Sequence, residues 1–354
     1  LDAINFTDGY ARYLLQVRSV DNKEMQATEI VVVPSQDGKS LLTAEKANIT
    51  IGQANNNNTN TTLSLGDFVA DTNNLALQFV PTEPYETDYD IKILKNEFNT
   101  TLTGINTRTV GFVDLVGVTT TVGVGTTVSL VVRDANITEG IYANVEVVNT
   151  ASQLRSVVEL YMDHDGTDTS VSEFYFDNDG TVESSDNFIG TFKGSINSGV
   201  LSLDFTNSTG SDSVLVRTRA VGFGSTSVGV GTYRFLAGSQ PAESEKSGRL
   251  QTNFARTVGI STPVSVSNSD VTTLKTLARV GYGNTSALHQ LLVTHDGTSA
   301  YTVQYPYLSI GSTSGIGTFG ANISNNDLLL NFFPDPTISG SQEIVVQTYT
   351  EVLQ

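Results

Sequence analysis

The chain has 354 residues, too long for one ordinary core, with 19 basic against 37 acidic side chains (formal charge −18) and no cysteine. That balance leaves no basic stripe to neutralise nucleic-acid phosphates, and the missing thiols exclude thiolate catalysis, cysteine-ligated zinc and disulfides. No apolar run reaches the roughly 18 residues of a spanning helix, so neither nucleic acid nor membrane is an expected partner.

Gly, Ser, Thr, Asn and Val dominate, a composition of strands and turns, and no long stretch shows helical spacing. The first clear predicted element is "EIVVVPSQDGKSLLTAEKANITIG", Glu29 to Gly52: an apolar run, Asp-Gly, an alternating run, then Gly. The polar loop "NNNNTNTT", Asn55 to Thr62, follows. Next come Gly66-Asp67-Phe68, the strand "LALQF" from Leu75 and a closing strand "YDIKIL" from Tyr89.

The same order returns twice. "VVELYMDHDGTDTSVSEFYFDNDG" (Val157 to Gly180) precedes Gly190-Thr191-Phe192, "VLSLDF" from Val200 and "SVLVRT" from Ser213. "LHQLLVTHDGTSAYTVQYPYLSIG" (Leu288 to Gly311) precedes Gly317-Thr318-Phe319, "LLLNF" from Leu328 and "EIVVQT" from Glu343. Gly38, Gly166 and Gly297 are spaced 166 − 38 = 128 and 297 − 166 = 131 residues apart. A period near 130 is the size of a β-sandwich, not of a solenoid turn. The expected fold is all-β: three tandem β-sandwich repeats, jelly-roll or Ig-like, with little helix. The boundaries are repeat 1 at 1–104, connector strands at 105–142, repeat 2 at 143–224, connector strands at 225–262 and repeat 3 at 263–354. The two connectors share Thr-Arg-x-Val-Gly-Phe and Val-Gly-Val-Gly-Thr, from Thr107 and Thr218, and are expected to add strands to a neighbour.

His295–Asp296 could be half of a catalytic site. Alignment on Asp-Gly sets it against His164–Asp165 and Gln36–Asp37, so what persists is the turn pair that accepts positive φ. The expectation is a hairpin tip, with His295→Gln tolerated because Gln36 holds that place in repeat 1. Val-Gly-Val-Gly-Thr lacks the helix and lysine of a phosphate loop, and no nucleophile elbow appears. No enzymatic activity and no cofactor are expected. The one ion the sequence suggests is calcium, held by the carboxylates of "DHDGTD" and "DNDGTVESSD" at Asp163, Asp165, Asp177 and Asp179, although the twelve-residue calcium-loop pattern is not met. Ala237 to Thr257, with Glu243, Glu245, Lys246, Arg249 and Arg256, reads as an exposed charged loop or as a segment that docks on a neighbouring subunit.

The stretches from Ser227 ("SVGVGTYRFLAGSQPAESEKSGRLQTNF") and Gly283 ("GNTSALHQLLVTHDGTSAYTVQYPYLSIGST") resemble the repeats of virion structural proteins of marine tailed cyanophages. The resemblance covers the last two thirds well and repeat 1 loosely. It implies a non-enzymatic particle component of tail, fibre, neck or capsid decoration, partnered by itself, by other virion proteins and by a host-surface glycan, and located in the virion. The alternatives are a bacterial surface, S-layer-like or filament protein on the cell surface, and a carbohydrate-binding appendage using aromatics such as Tyr305 or Tyr307.

Overall fold

A computed structural model describes residues 2–3, 10–19, 24–35, 39–51, 65–71, 76–82, 88–97, 106–110, 113–152, 154–177, 190–224, 231–234, 249–257, 260–269, 271–283, 285–310, 315–338 and 343–353. Among these residues the chain is all strand, with no helix.

The first set of strands is β1 (Asp2–Ala3), β2 (Ala11–Ser19), β3 (Met25–Pro34), β4 (Leu41–Ile51), β5 (Gly66–Asp71), β6 (Ala76–Pro81) and β7 (Tyr89–Glu97). The second is β8 (Asn106–Val110), β9 (Val113–Val122), β10 (Thr127–Asp134), β11 (Thr138–Asn149), β12 (Arg155–His164), β13 (Thr169–Asp177), β14 (Gly190–Asn197), β15 (Val200–Asn207) and β16 (Val214–Gly224). The third is β17 (Gly231–Arg234), β18 (Arg249–Thr257), β19 (Ser261–Ser267), β20 (Thr273–Tyr282), β21 (Thr285–His295), β22 (Ala300–Ile310), β23 (Gly317–Ser324), β24 (Asp327–Pro334) and β25 (Ile344–Leu353).

Each set builds one large and one small antiparallel sheet. The large sheets run β4-β3-β2-β7, β13-β12-β11-β16-β9-β8 and β22-β21-β20-β25-β18-β17; the small ones run β1-β6-β5, β10-β15-β14 and β19-β24-β23. The connector hairpins β8–β9 and β17–β18 therefore extend the large sheet of the set that follows them. The two Val-Gly-Val-Gly-Thr stretches, alike in sequence, differ in place. Gly123–Thr126 turns β9 into β10, whereas Gly231 opens β17.

Between each large sheet and its small partner lies an apolar core. Tyr13, Leu15, Val17 and Ile30 meet Phe68 and Leu77; Val145, Val147 and Leu160 meet Leu201, Leu203 and Phe205; Leu274, Ala278 and Leu291 meet Leu328 and Leu330. The Gly-x-Phe landmark has a packing cause. The Phe68–Phe79, Phe192–Phe205 and Phe319–Phe332 ring pairs sit 5.2, 5.1 and 5.1 Å apart, at 48°, 49° and 53°. The second ring of each pair lies on the glycine that opens the motif. A Cβ on Gly66, Gly190 or Gly317 would come closer than 3.0 Å to Phe79, Phe205 or Phe332.

Small-sheet strands show the period-2 burial of a half-covered sheet, as in β15. By contrast β3 and β12 are buried on both faces along nearly their whole length. The reason is that the large sheets turn their outer faces toward one another, which accounts for the unbroken apolar runs that precede each Asp-Gly. Three seams result, and the ladders show them to be equivalent. Leu14 pairs with Glu29, Asn144 with Glu159 and Leu277 with Gln290. The β2–β3 and β11–β12 turns close alike, Ser19 N–H to Glu24 C=O (3.0 Å) and Asn149 N–H to Leu154 C=O (2.9 Å). In that register Ala27, Val157 and Leu288 are one position, and Val31, Tyr161 and Leu292 another. Ala27 shares an apolar cluster with Leu292, Leu288 with Tyr161, and Val157 with Val31. The same two positions meet at every seam, head to tail, and the third seam returns to the first sheet. This is the closed cyclic contact of a trimer, made within one chain.

Candidate functional site at the junction of the three sheets

Where the outer faces converge the sequence places charge rather than hydrocarbon. Arg12, Tyr142 and Lys275 occupy one ladder-equivalent position on β2, β11 and β20; Glu29, Glu159 and Gln290 occupy another on β3, β12 and β21. All six are buried. The Glu29 carboxylate takes Arg12 Nε at 3.0 Å and Lys275 Nζ. Glu159 takes Lys46 Nζ, the Gln290 side-chain N–H at 3.0 Å and, at 3.9 Å, Arg12 Nη1. Arg12 Nη1 also reaches Tyr142 OH and Asn144 Oδ1, both at 3.4 Å. Each large sheet thus contributes to one bonded group.

Burial alone would push the Glu159 carboxyl up. Lys46, Arg12 and Lys275 outweigh it and hold the group at about 2. For Lys275, burial and then Arg12 press the ammonium down, Glu29, Glu351 and Glu159 oppose them, and it settles at about 8. At neutral pH both are charged.

A second layer uses the position shared by Gln16, Glu146 and Arg279. Gln16 Nε2 donates to Thr273 Oγ1 (3.1 Å) and Gln16 Oε1 accepts from Thr272 Oγ1 (2.9 Å), tying the first sheet to the third. Arg279 Nη2 binds both Asp163 oxygens, at 2.9 and 3.2 Å, and stands 3.4 Å from Glu139, tying the third to the second. Burial lowers the Arg279 pKa, but Asp163 and Tyr161 more than offset it and raise the group above its ordinary value. Glu146 is clamped by Arg155 and, at 2.6 Å, Arg217, all within the second sheet. Of the buried charged residues among the described residues, five are cations (Arg12, Arg155, Arg217, Lys275, Arg279) and four are carboxylates (Glu29, Glu146, Glu159, Asp163). They nearly cancel, so the acidic excess of the chain is carried by other residues.

Of the four carboxylates singled out from sequence, Asp163 belongs to this junction. Asp163 is the partner of Arg279 and also accepts Tyr161 OH (2.9 Å) and the His164 N–H (2.8 Å). Asp165 is an exposed turn cap whose Oδ1 accepts the Thr167 and Asp168 N–H groups, each at 2.8 Å. Asp177 pairs with Ser156, seven residues along β12 from Asp163 (163 − 156) and so roughly 23 Å away at about 3.3 Å per residue. Asp179 lies outside the described residues. Among the described residues no three His, Asp or Glu side chains gather as a metal site.

His164 and His295 repeat one arrangement. Nδ1 accepts the N–H of Gly166 or Gly297 at 3.0 Å, and Nε2 donates to the carbonyl of Thr138 or Val271. The two glycines share φ of 96° and 95°. Each histidine thus pins a hairpin tip to the start of the neighbouring strand. The expected equivalence with Gln36 needs correction. Pro34 closes its ladder against Leu41 as His164 does against Thr169 and His295 against Ala300. Six residues separate the first pair and four each of the others, so alignment on Asp-Gly runs two residues out of step; Gln36, Asp37 and Gly38 themselves lie outside the described residues. Tyr305, expected as an exposed aromatic, packs with Leu292 and Leu353 in the seam between the first and third sheets. The side chain of Tyr307, the loop Asn55 to Thr62, and Glu243, Glu245 and Lys246 lie outside the described residues. Arg249 and Arg256 stand near the two ends of β18.

The charged junction escaped the sequence reading although its signal was there: Glu29 and Glu159 are 130 residues apart, and Gln290 follows 131 later, each inside an apolar run. Neither the protein-family models nor the curated proteins include a match to this chain.

Proposed function

We propose that the chain is a non-enzymatic structural subunit of a tailed-phage virion, a tail, fibre, neck or capsid-decoration component that works by assembling with its neighbours. The observation that carries this reading is the closed cyclic junction. Its buried polar groups Arg12, Glu29, Glu159, Lys275, Arg279 and Asp163 are spent on one another, within the first sheet and across the seams. Chemistry invested this way fixes a shape. A block of three cyclically packed sandwiches resists deformation and presents small sheets and hairpin tips outward, which suits a cladding or spacer element. Its formal charge of −18 favours solubility at high copy number. The cyanophage-like texture of the second and third repeats points the same way.

Electron microscopy of native particles, with the chain located by antibody or by fitted density, tests the proposal. A regular array on a capsid or tail is the expected result. A lattice or filament on cell surfaces would replace it with the surface-protein reading.

A further inference from the structure

Asp-Gly is among the dipeptides most prone to close on themselves. The glycine nitrogen attacks the aspartate Cγ, an N–C bond forms, a carboxyl C–O bond breaks, and the oxygen leaves as water with the amide proton and a carboxyl proton. Solvent water then opens the succinimide, mostly to isoaspartate, whose main chain runs one atom longer through Cβ. Glycine has no side chain to hinder the approach. At the tips of the β12–β13 and β21–β22 hairpins packing gives no protection either. Asp165, Gly166, Asp296 and Gly297 are exposed, and a Cβ on either glycine would meet nothing within 4 Å. Yet each turn depends on its length, closing Asp165 N–H on Asp168 C=O and Asp296 N–H on Ser299 C=O, both at 3.2 Å.

We propose that His164 and His295 guard the Asp165–Gly166 and Asp296–Gly297 pairs against succinimide formation, and so against conversion to isoaspartate. The nucleophile of each closure is already engaged: the N–H of Gly166 or Gly297 is donated to the histidine Nδ1 at 3.0 Å. Imidazole is far too weak a base to remove an amide proton, so this bond holds the N–H in place. The electrophile is turned the other way. Asp165 Oδ1 accepts the N–H groups of Thr167 and Asp168, each at 2.8 Å, and Asp296 Oδ1 those of Thr298 and Ser299 at 2.8 and 2.7 Å. The Asp168 and Thr167 N–H groups hold the Asp165 carboxyl below its ordinary range; at Asp296 burial presses upward, and the Ser299 and Thr298 N–H groups outweigh it. An ionised carboxylate lacks the proton with which its oxygen would leave as water. The guard itself does not ride with the tip, because Nε2 is anchored on the carbonyl of Thr138 or Val271. The arrangement occurs twice, with glycine φ of 96° and 95°. It bears on the chemical lifetime of the chain and is independent of where the protein resides.

The test holds the full chain in warm neutral buffer for weeks beside the free peptide THDGTS, residues 294–299, and reads isoaspartate at each site by peptide mapping. Both tips should isomerise at least about tenfold more slowly than the peptide, the factor that one hydrogen bond is worth. In the full-chain variant His295→Ala the rate at Asp296 should rise about tenfold while that at Asp165 stays as it was, and His164→Ala should do the reverse. The unaltered tip thus reports that the chain is still folded. His295→Phe and His164→Phe keep a ring and remove the acceptor nitrogen, and stand in where an alanine variant does not fold. Native tips that isomerise as fast as the peptide would overturn the proposal. So would a folded variant whose altered tip is no faster, or is slower, which would make the histidine a promoter of closure. Acceleration at both tips in all four variants would also overturn it, because protection would then belong to the fold as a whole.

Discussion

A histidine beside an aspartate is a small observation whose meaning depended on one ring nitrogen. In His164 and His295 Nδ1 accepts a glycine N–H and Nε2 meets a strand carbonyl, so the ring serves as a bracket. Replacing His295 by Ala removes two hydrogen bonds and should cost about 1–3 kcal/mol in urea unfolding. The third histidine, His289, is a core residue against the Phe319 ring at 5.0 Å. Burial drives its pKa from 6.5 down to about 4, with Gln304 opposing. The folded state therefore disfavours the imidazolium. The associated stability is present above about pH 6.5 and is lost as pH falls toward 4, by up to about 3 kcal/mol. Stability measured across that window should decline in the native chain and decline less in His289→Phe. Glu159 adds its own loss lower down, as pH drops from the ordinary 4.5 toward about 2.

At the scale of strands and hairpins, local chemistry and packing agree. Asp-Gly specifies the tips of the β12–β13 and β21–β22 hairpins, and Gly-x-Phe specifies the small sheets. Gly190→Ala and Gly317→Ala should each cost about 1–3 kcal/mol, because the added methyl meets an aromatic ring and a backbone carbonyl on the opposite strand. The β12–β13 hairpin was legible from alternation around Asp165-Gly166, and the extra connector strands from their Gly-punctuated apolar runs. Register was not legible. A two-residue difference in loop length shifts an alignment without disturbing its period-2 pattern, so Gln36 looked like the partner of His164 and Glu29 was set opposite Val157 instead of Glu159. Strand-to-strand hydrogen bonds, which no one-dimensional motif records, decide such matters. The calcium candidates mark the same limit. Asp163 and Asp177 are near in sequence only because a hairpin separates them, and the hairpin carries them to opposite ends of its strands. Charge pairing across a seam can be tested directly. Arg279→Ala leaves Asp163 buried without its cation and should cost about 3–5 kcal/mol, whereas Arg279→Met combined with Asp163→Leu should recover most of that loss.

For the whole molecule, the all-β class and the repeat were readable from composition and period, but the way the repeats meet was not. Each large sheet has one face for its own small sheet and another for its neighbours, and continuous apolar runs look alike whether a strand is covered by one layer or two. The central claim is that the three sets form one closed block, not beads on a string. Small-angle X-ray scattering of the full chain in dilute solution measures this most directly. A compact chain of this length should give a radius of gyration of about 20 Å. A value near 30 Å or more, as expected of about three sandwiches strung in line, would contradict the closed junction and everything inferred from it.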